Sequence, residues 1–243
     1  MLTKYPFLSF RKFKNFYILF NPAVEELKDR IYGDHNLISL QCLIIAPETS
    51  GWFRQRITRV EELKGIKMRF FGLGAMVMSK LGVSTQLLAG GDIFPALEKG
   101  VIDATEFSMP TMDLSYGFYQ VAKFNYFPGW HQQSTASELL MNKEKWEALS
   151  KTAQALISTT CDSAYLYSAV KSDADQPDAM AELESKGVTF VTWNDSEIEK
   201  FRKAWNEVIQ EKSAEDPLFK EVYASYSAFR EKYAIWGDRA YLK

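Results

Sequence analysis

From residue 22 onward the hydrophobic pattern switches between the period of a helix and that of a strand. "PAVEELKDRIYG" reads as a short helix closed by Gly33, and "LISLQCLIIA" as a buried strand. "RVEELKG" makes a turn of helix that feeds a strand in "LKGIKMRFFG". After "GLG", the segment "AMVMSKLGV" has a helical pattern with Gly82 placed for a left-handed cap, and "STQLLAG" begins the next strand. A helix over 92–99, a glycine cap at Gly100 and a strand leading to Glu106 complete the run. This βαβ rhythm predicts an α/β fold with a mainly parallel sheet and helices on both faces.

The carboxyl half reads as mostly helical. "KEKWEALSKTAQALISTTCDSAYLYSAVKSD" carries a stripe at Ala153, Leu156, Ile157, Cys161 and Ala164 that would face a core. "PDAMAELESKG" is a helix begun by Pro177 and capped by Gly187, and "VTFVTW" a strand. "SEIEKFRKAWNEVIQEKSAED" opens on a capping box from Ser196 to Glu199 and repeats apolar residues at Ile198, Phe201, Trp205 and Val208. The last helix, "PLFKEVYASYSAFREKY", is rich in Tyr and Phe. Core packing is the first reading of it, and a homodimer contact through the carboxyl-terminal helices the second.

Composition narrows the class. The chain has 243 residues, 47% hydrophobic and 25% charged, as expected of one or two soluble globular domains. A formal net charge of -2 provides no electrostatic footprint for nucleic acid. Residues 1–24 are basic and aromatic, but their longest apolar run, "FYILF", is shorter than the roughly 7–15 residues of a signal-peptide core. The chain as written is expected to carry no recognisable address. Cys42 and Cys161 lie far apart, so no disulfide framework or zinc cluster can be read from them. His35 and His131 leave little material for histidine-based metal or acid/base chemistry. GxxxxGK[ST], GxSxG and HExxH are all missing, and "GLGAMV" is only a weak echo of a dinucleotide loop. No enzyme is expected.

Arg69 is the conspicuous residue. It shares a strand face with Lys67 and Phe71 and sits just before a turn. Arginine keeps its proton, so a buried one needs an anion. Two readings are open: an ion pair with a nearby acid, or a guanidinium fork kept for a ligand carboxylate. Other polar residues stand among aromatics: Glu106 beside Phe107, Glu48 in "APETSGWF" before Trp52, and Gln132 after "FPGWH". Together they suggest an aromatic pocket with a few convergent polar groups.

The stretch "WFRQRITRVEELKGIKMRFFGLGAMVMSKLGVSTQLLAGGDIFPALEKGVIDATEF", with "MDLSYGFYQVAKFNYFPGWH" and "DPLFKEVYASYSAFR", closely resembles the DctP-type (family 7) solute receptors of tripartite ATP-independent periplasmic (TRAP) transporters. Within that family it is most similar to the mannitol/chloroaromatic or 2-oxo acid branch. The resemblance runs from about Glu25 to the carboxyl end. It implies a two-lobed Venus-flytrap fold in the periplasm that closes on a small organic acid and delivers it to membrane permease subunits. It also implies that Arg69, in "KMR", grips the ligand carboxylate, with Glu48, Trp52, Phe107 and Gln132 lining the site.

The resemblance further implies a cation, Na+ or Ca2+, held with the ligand by Glu106, Phe107, Glu48 and Gln132, and no other cofactor. Relatives carry Gln at the position of Glu48, Glu at Gln132 and Trp at Phe107, so the charge distribution here is altered. Glu48, Glu106 and a ligand carboxylate against Arg69 alone leave two negative charges, an expectation that favours a divalent ion. By the same resemblance residues 25–65 are a remnant of the first lobe and hinge, and 66–243 the second lobe with its carboxyl-terminal helices; 1–24 have no assigned role. The alternative expectation is a truncated or degenerate fragment acting as a structural module that binds no ligand.

Overall fold

The computed structural model describes residues 22–240, so most of the basic aromatic segment 1–24 lies outside the described residues. In chain order the elements are α1 (Pro22–Gly33), β1 (Leu37–Ile45), β2 (Gly51–Phe53), β3 (Lys67–Arg69), α2 (Gly72–Lys80), β4 (Ser84–Gln86), α3 (Gly90–Glu98), β5 (Ala104–Thr105) and α4 (Pro110–Ser115). They continue with β6 (Phe124–Phe127), β7 (Thr135–Asn142), α5 (Lys143–Glu147), α6 (Lys151–Ala174), α7 (Gln176–Ser185), β8 (Thr189–Thr192), α8 (Asp195–Glu215) and α9 (Pro217–Ala240). These elements gather into two compact units. One comprises residues 46–133 and 173–211; the other takes the described residues before 46, together with 134–172 and those from 212 on.

The first unit is built on a six-stranded sheet in the order β4, β3, β5, β2, β6, β8. β3 runs parallel to both β4 and β5, and β6 parallel to β8, whereas β2 lies antiparallel to β5 and β6. The expected parallel sheet is therefore interrupted by one antiparallel strand. The helices sit where the hydrophobic period placed them, and Gly82 and Gly100 end α2 and α3 in the left-handed region, at φ +87° and +69°. Ile93 and Leu97 of α3, four positions apart, are fully buried with Trp52, Ile102, Phe118, Ala122 and Leu183 in one core. α8 starts differently from the expected capping box. Asn194 is the cap: its Oδ1 accepts from the Glu197 amide at 3.1 Å and from the Ser196 hydroxyl at 2.7 Å. Glu197 is thereby free to turn inward, where its carboxylate accepts from the Val60 amide at 2.5 Å.

The second unit pairs β1 antiparallel with β7, from Leu37 opposite Asn142 to Ile45 opposite Thr135, with an irregularity between Gln41 and Leu43. β1 is less buried than its apolar sequence suggests because β7 is its only strand partner among the described residues; Leu43 is 41% exposed. Cys42, at the irregularity, is disulfide-bonded to Cys161 of α6, a link that sequence spacing alone did not reveal. α6 turns Cys161, Tyr165 and Ser168 inward, and the Ser168 hydroxyl accepts from the Ile44 amide at 2.9 Å. Leu156, expected on the buried stripe, is 67% exposed. α9 departs further from the core-packing expectation: Gly237 is its one buried residue among those described, and its aromatic rings stack along the helix in pairs such as Phe219–Tyr223 and Phe229–Tyr233. No helix among the described residues is long and apolar enough to cross a membrane.

The Cys42–Cys161 link closes a long loop of chain, so its removal should loosen the unfolded state. Replacing both cysteines by serine is expected to lower stability by about 2–5 kcal/mol, read as a lower urea midpoint with a steeper slope from the more open unfolded chain. An unchanged midpoint, with oxidised and reduced protein unfolding together, would contradict a structural role.

Candidate functional site

Four segments of the first unit converge at the carboxyl end of β3. Arg69 is the last residue of that strand and is flanked by β4 and β5. The Glu106 amide donates to the Arg69 carbonyl at 3.0 Å, extending the ladder one step past β5 and bringing the two side chains to the same place. Arg69 Nη1 donates to the Glu106 carbonyl at 2.7 Å and to its carboxylate Oε2 at 2.9 Å, and Nε donates to the Leu88 carbonyl at 3.4 Å. The guanidinium carbon lies 5.3 Å from the ring centre of Phe71 and 5.5 Å from that of Phe107. The first reading of Arg69, an ion pair with a nearby acid, is therefore present in the structure. One arm is committed to an internal acid, and Nη2 makes no hydrogen bond among the described residues.

The third segment is the turn after β6, and the fourth is the stretch before β2 that carries Glu48. The Glu48 amide donates to the Gln132 carbonyl at 3.1 Å, and the Gln132 side-chain amide donates to Glu48 Oε1 at 2.8 Å. This close approach requires a glycine. A Cβ at Gly129 would stand 2.1 Å from the Glu48 carbonyl oxygen, a backbone atom that cannot step aside. Glu48 and Gln132 are thus direct partners.

His131, passed over in the sequence, occupies the centre. Its Nε2 lies 3.5 Å from Glu48 Oε2 and 3.5 Å from Glu106 Oε1. The imidazole is held edge-on by Phe70 at 4.9 Å and Trp130 at 5.3 Å, and Trp130 stacks on Phe201 at 4.8 Å. The side chains of His131, Glu48 and Glu106 are 4%, 3% and 0% exposed. Nothing in a lone histidine within an aromatic run signals this role; only the meeting of two distant glutamates does.

Burial and charge compete here. Burial alone would lower the His131 pKa, but the carboxylates of Glu106 and Glu48 outweigh it and lift the value to about 9. Glu48 is pushed up to about 7 by burial and by the charge of Glu106, against the pull of His131. Burial would raise Glu106 as well, but His131 and then Arg69 bring it below the ordinary range. Imidazolium and guanidinium thus stand against two carboxylates. With His131 counted, the protein groups balance while no ligand is bound, and a ligand carboxylate would leave one excess negative charge rather than two.

Of the other expected residues, Phe107 borders the site through its ring over Arg69, and its own neighbours are Tyr116 at 4.5 Å and Phe118 at 5.6 Å. Trp52 is placed elsewhere. It is fully buried in the hydrophobic core, where its indole nitrogen donates to Asp113 Oδ2 at 2.7 Å. Burial raises the Asp113 carboxyl well above its usual range despite that bond.

Comparison with known proteins places the fold. The sequence model of DctP, bacterial extracellular solute-binding protein family 7, matches residues 46–216. The chain belongs to this family. A monocarboxylate 2-oxoacid-binding periplasmic protein of Nostoc sp. is 34% identical over 207 residues, covering 85% of this chain and 57% of the relative. A TRAP transporter solute-binding protein of Bordetella bronchiseptica RB50, a dimer of mixed occupancy with copurified calcium and picolinate, superposes with a TM-score of 0.83 at 34% identity, covering 87% of this chain and 63% of that one. A TRAP periplasmic solute-binding protein of Pseudoalteromonas atlantica T6c with bound sodium and pyruvate superposes with a TM-score of 0.85 at 25% identity, covering 92% and 68%. The chain thus spans a little over half the length of the family 7 relative from Nostoc.

Two expectations follow from this geometry. The native His131 holds its proton more tightly than an unfolded histidine of pKa 6.5, so its stabilisation is complete below that pH and is lost as pH rises through about 9. Glu48, also raised, acts in the same direction over a lower window, from 4.5 to about 7. Melting temperature should fall between pH 6.5 and 9, by roughly 2–4 °C for each kcal/mol lost, and His131→Gln should flatten that fall. A wild-type profile that is level or rising across this window would refute the assignment. Separately, Gly129→Ala should destabilise the fold by about 3 kcal/mol or more through the backbone collision, as urea denaturation can measure.

Proposed function

We propose that this chain serves as a solute-binding receptor of a TRAP transporter that captures a small monocarboxylic or 2-oxo acid. The observation that carries this reading is Arg69: a buried guanidinium with one arm anchored on Glu106 and the other, Nη2, without a hydrogen bond among the described residues. Such an arm, between the rings of Phe71 and Phe107, is prepared for an incoming carboxylate. The ligands named for the relatives, 2-oxoacid, picolinate and pyruvate, are all compatible with a carboxylate on Arg69. In this reading the acid is released unaltered to membrane permease subunits, and catalysis plays no part.

A cation bound with the acid fits the same place. Glu48 Oε2 and Glu106 Oε1 are buried oxygens without hydrogen-bond partners among the described residues, the type of donor that Na+ and Ca2+ accept. When bound, the cation would offset the negative charge that the acid brings to a balanced site. Periplasmic location is supported by the relatives' names and by the Cys42–Cys161 disulfide, which an oxidising compartment allows.

Arg69→Lys tests the reading while keeping a positive charge opposite Glu106. Loss of the planar fork in a desolvated site should weaken pyruvate or another 2-oxo acid by about 2–5 kcal/mol, roughly 30-fold or more in Kd by calorimetry with Ca2+ or Na+ present. Unchanged affinity would place the carboxylate elsewhere. A wild-type chain that binds no acid in a broad panel, and gains no thermal stability from any, would favour the non-binding structural module.

A further inference from the structure

We infer that the segment from Arg54 to Thr58, together with Lys64, is a docking surface for an acidic, extended segment of a partner protein. The inference goes beyond solute capture and does not rest on it.

The surface lies at the end of the sheet away from Arg69 and Glu106. Phe53 ends β2 opposite Ala104, the Arg54 amide donates to the Asp103 carbonyl at 3.2 Å, and residues 64–66 lead into the amino end of β3. The stretch after Phe53 has no regular structure, yet it is clamped. The buried Tyr126 hydroxyl accepts from the Ile57 amide at 2.6 Å and donates to the Ile57 carbonyl at 2.7 Å. Glu62 accepts from the Thr58 amide at 2.9 Å and from its hydroxyl at 2.6 Å, and the Val60 amide is held by Glu197. A loop braced by the sheet on one side and by Tyr126, Glu62 and Glu197 on the other presents its outward side chains in fixed positions, as binding loops on a rigid scaffold do.

Those outward side chains are mostly cations. Arg54, Arg56 and Lys64 are exposed, and none has an ion pair or a side-chain hydrogen bond among the described residues. The acids nearest in sequence are already engaged: Glu61 with Lys200 at 2.7 Å, and Glu62 with Thr58 and, at 3.6 Å, with Arg59. Asp103, the acid beside Arg54, accepts from the Lys67 amide at 3.0 Å. Three uncompensated cations thus surround one acid, on a chain whose net charge is -2. A local excess of this kind steers and selects an anionic partner.

Shape selects the class of partner. Arg54 borders a cleft of about 560 Å³ with Gln55, Lys64 and Asp103, and Arg56 borders a second, of about 160 Å³, with Thr58, Thr192 and Asn194. Ile57 borders both. The clefts are open to solvent, and the apolar residues in them, Phe53 and Ile57, are only 2% and 5% exposed, so little apolar surface is left to enclose a small molecule. Two neighbouring open clefts, each with its own arginine, suit a segment that lays successive carboxylates across them, each taken by a guanidinium fork.

The test uses the purified 243-residue chain and two short fluorescein-labelled peptides, one of alternating Asp and Glu and one of alternating Asn and Gln. Fluorescence anisotropy at low salt should show binding of the acidic peptide only, weakening as salt is added. Arg54→Glu combined with Arg56→Glu should weaken it by about ten-fold or more, and Arg54→Lys combined with Arg56→Lys, which keeps the charge and removes the forks, by about three-fold or more. Lys232→Glu, on α9, should change it by less than about two-fold. A readout on the unmutated chain guards against misfolded variants: amide resonances shifted by the acidic peptide should fall within 53–58, 64–66 and 103. Equal binding of the two peptides, indifference to the double glutamate or double lysine exchange, an equal loss with Lys232→Glu, or shifts centred elsewhere would each overturn the assignment. Tighter binding to phosphatidylglycerol vesicles than to the peptide would overturn it too, by giving the surface to lipid headgroups. Pyruvate binding is measured separately. Peptide binding without pyruvate binding leaves the docking surface standing and removes the receptor reading; pyruvate binding without peptide binding does the reverse.

Discussion

The buried pair of Arg69 and Glu106 is the constraint around which the first unit is organised. A guanidinium at 8% exposure and a carboxylate at 0% are tolerable only because each supplies what the other lacks. Their pairing requires β3 and β5 to be neighbours in register, and the parallel β3–β5 ladder continued by the Glu106 amide provides that. Once Glu106 is fixed, its second oxygen faces His131, and His131 in turn defines the environment of Glu48. The order of dependence runs from sheet register to ion pair to triad. Removing Arg69 entirely would thus expose the fold, as well as the site, to an uncompensated buried acid.

Much of this was legible along the chain, and the failures share a cause. Arg69, Glu106, Glu48 and Gln132 stood out because polar residues at strand ends among aromatics are informative one at a time, and the resemblance tied them together. His131 did not stand out, because its importance comes from two glutamates that are close only in space. The disulfide was hidden for the same reason, since nothing local about Cys42 or Cys161 says which strand meets which helix. Trp52 was misjudged on proximity. Following Glu48 by a few residues does not put an indole on the same side of a short strand, and β2 turns it into the core. Helix periods and glycine caps, which depend on local sequence, were read well; the boundary at Asn194 was displaced because either of two small polar residues could cap.

The triad also changes what kind of electrostatic object the site is. A pocket of two acids and one base would attract cations at long range and resist an anion. With the imidazolium included, the group is close to neutral and its parts are already compensated, so neither an acid nor a cation needs the other to arrive first on charge grounds alone. Discrimination then rests on donor type and shape, through the arm of Arg69 that makes no hydrogen bond among the described residues and the carboxylate oxygens of Glu48 and Glu106.

The interleaving of the two units has a consequence for how the protein is made. Every residue of the triad and its arginine is synthesised before residue 133, yet the layer that braces Trp130 comes from Phe201, and the sheet edge beside β6 from β8. A growing chain emerging at about 5–20 residues per second therefore carries an incomplete, charge-bearing pocket for several seconds before its closing elements exist. During that interval the apolar face of β6 and the strand edge next to it are open to wrong partners. The site is early in sequence and late in assembly, so the stretch between residues 173 and 211 acts as a fastener whose arrival commits the nascent unit to its native form.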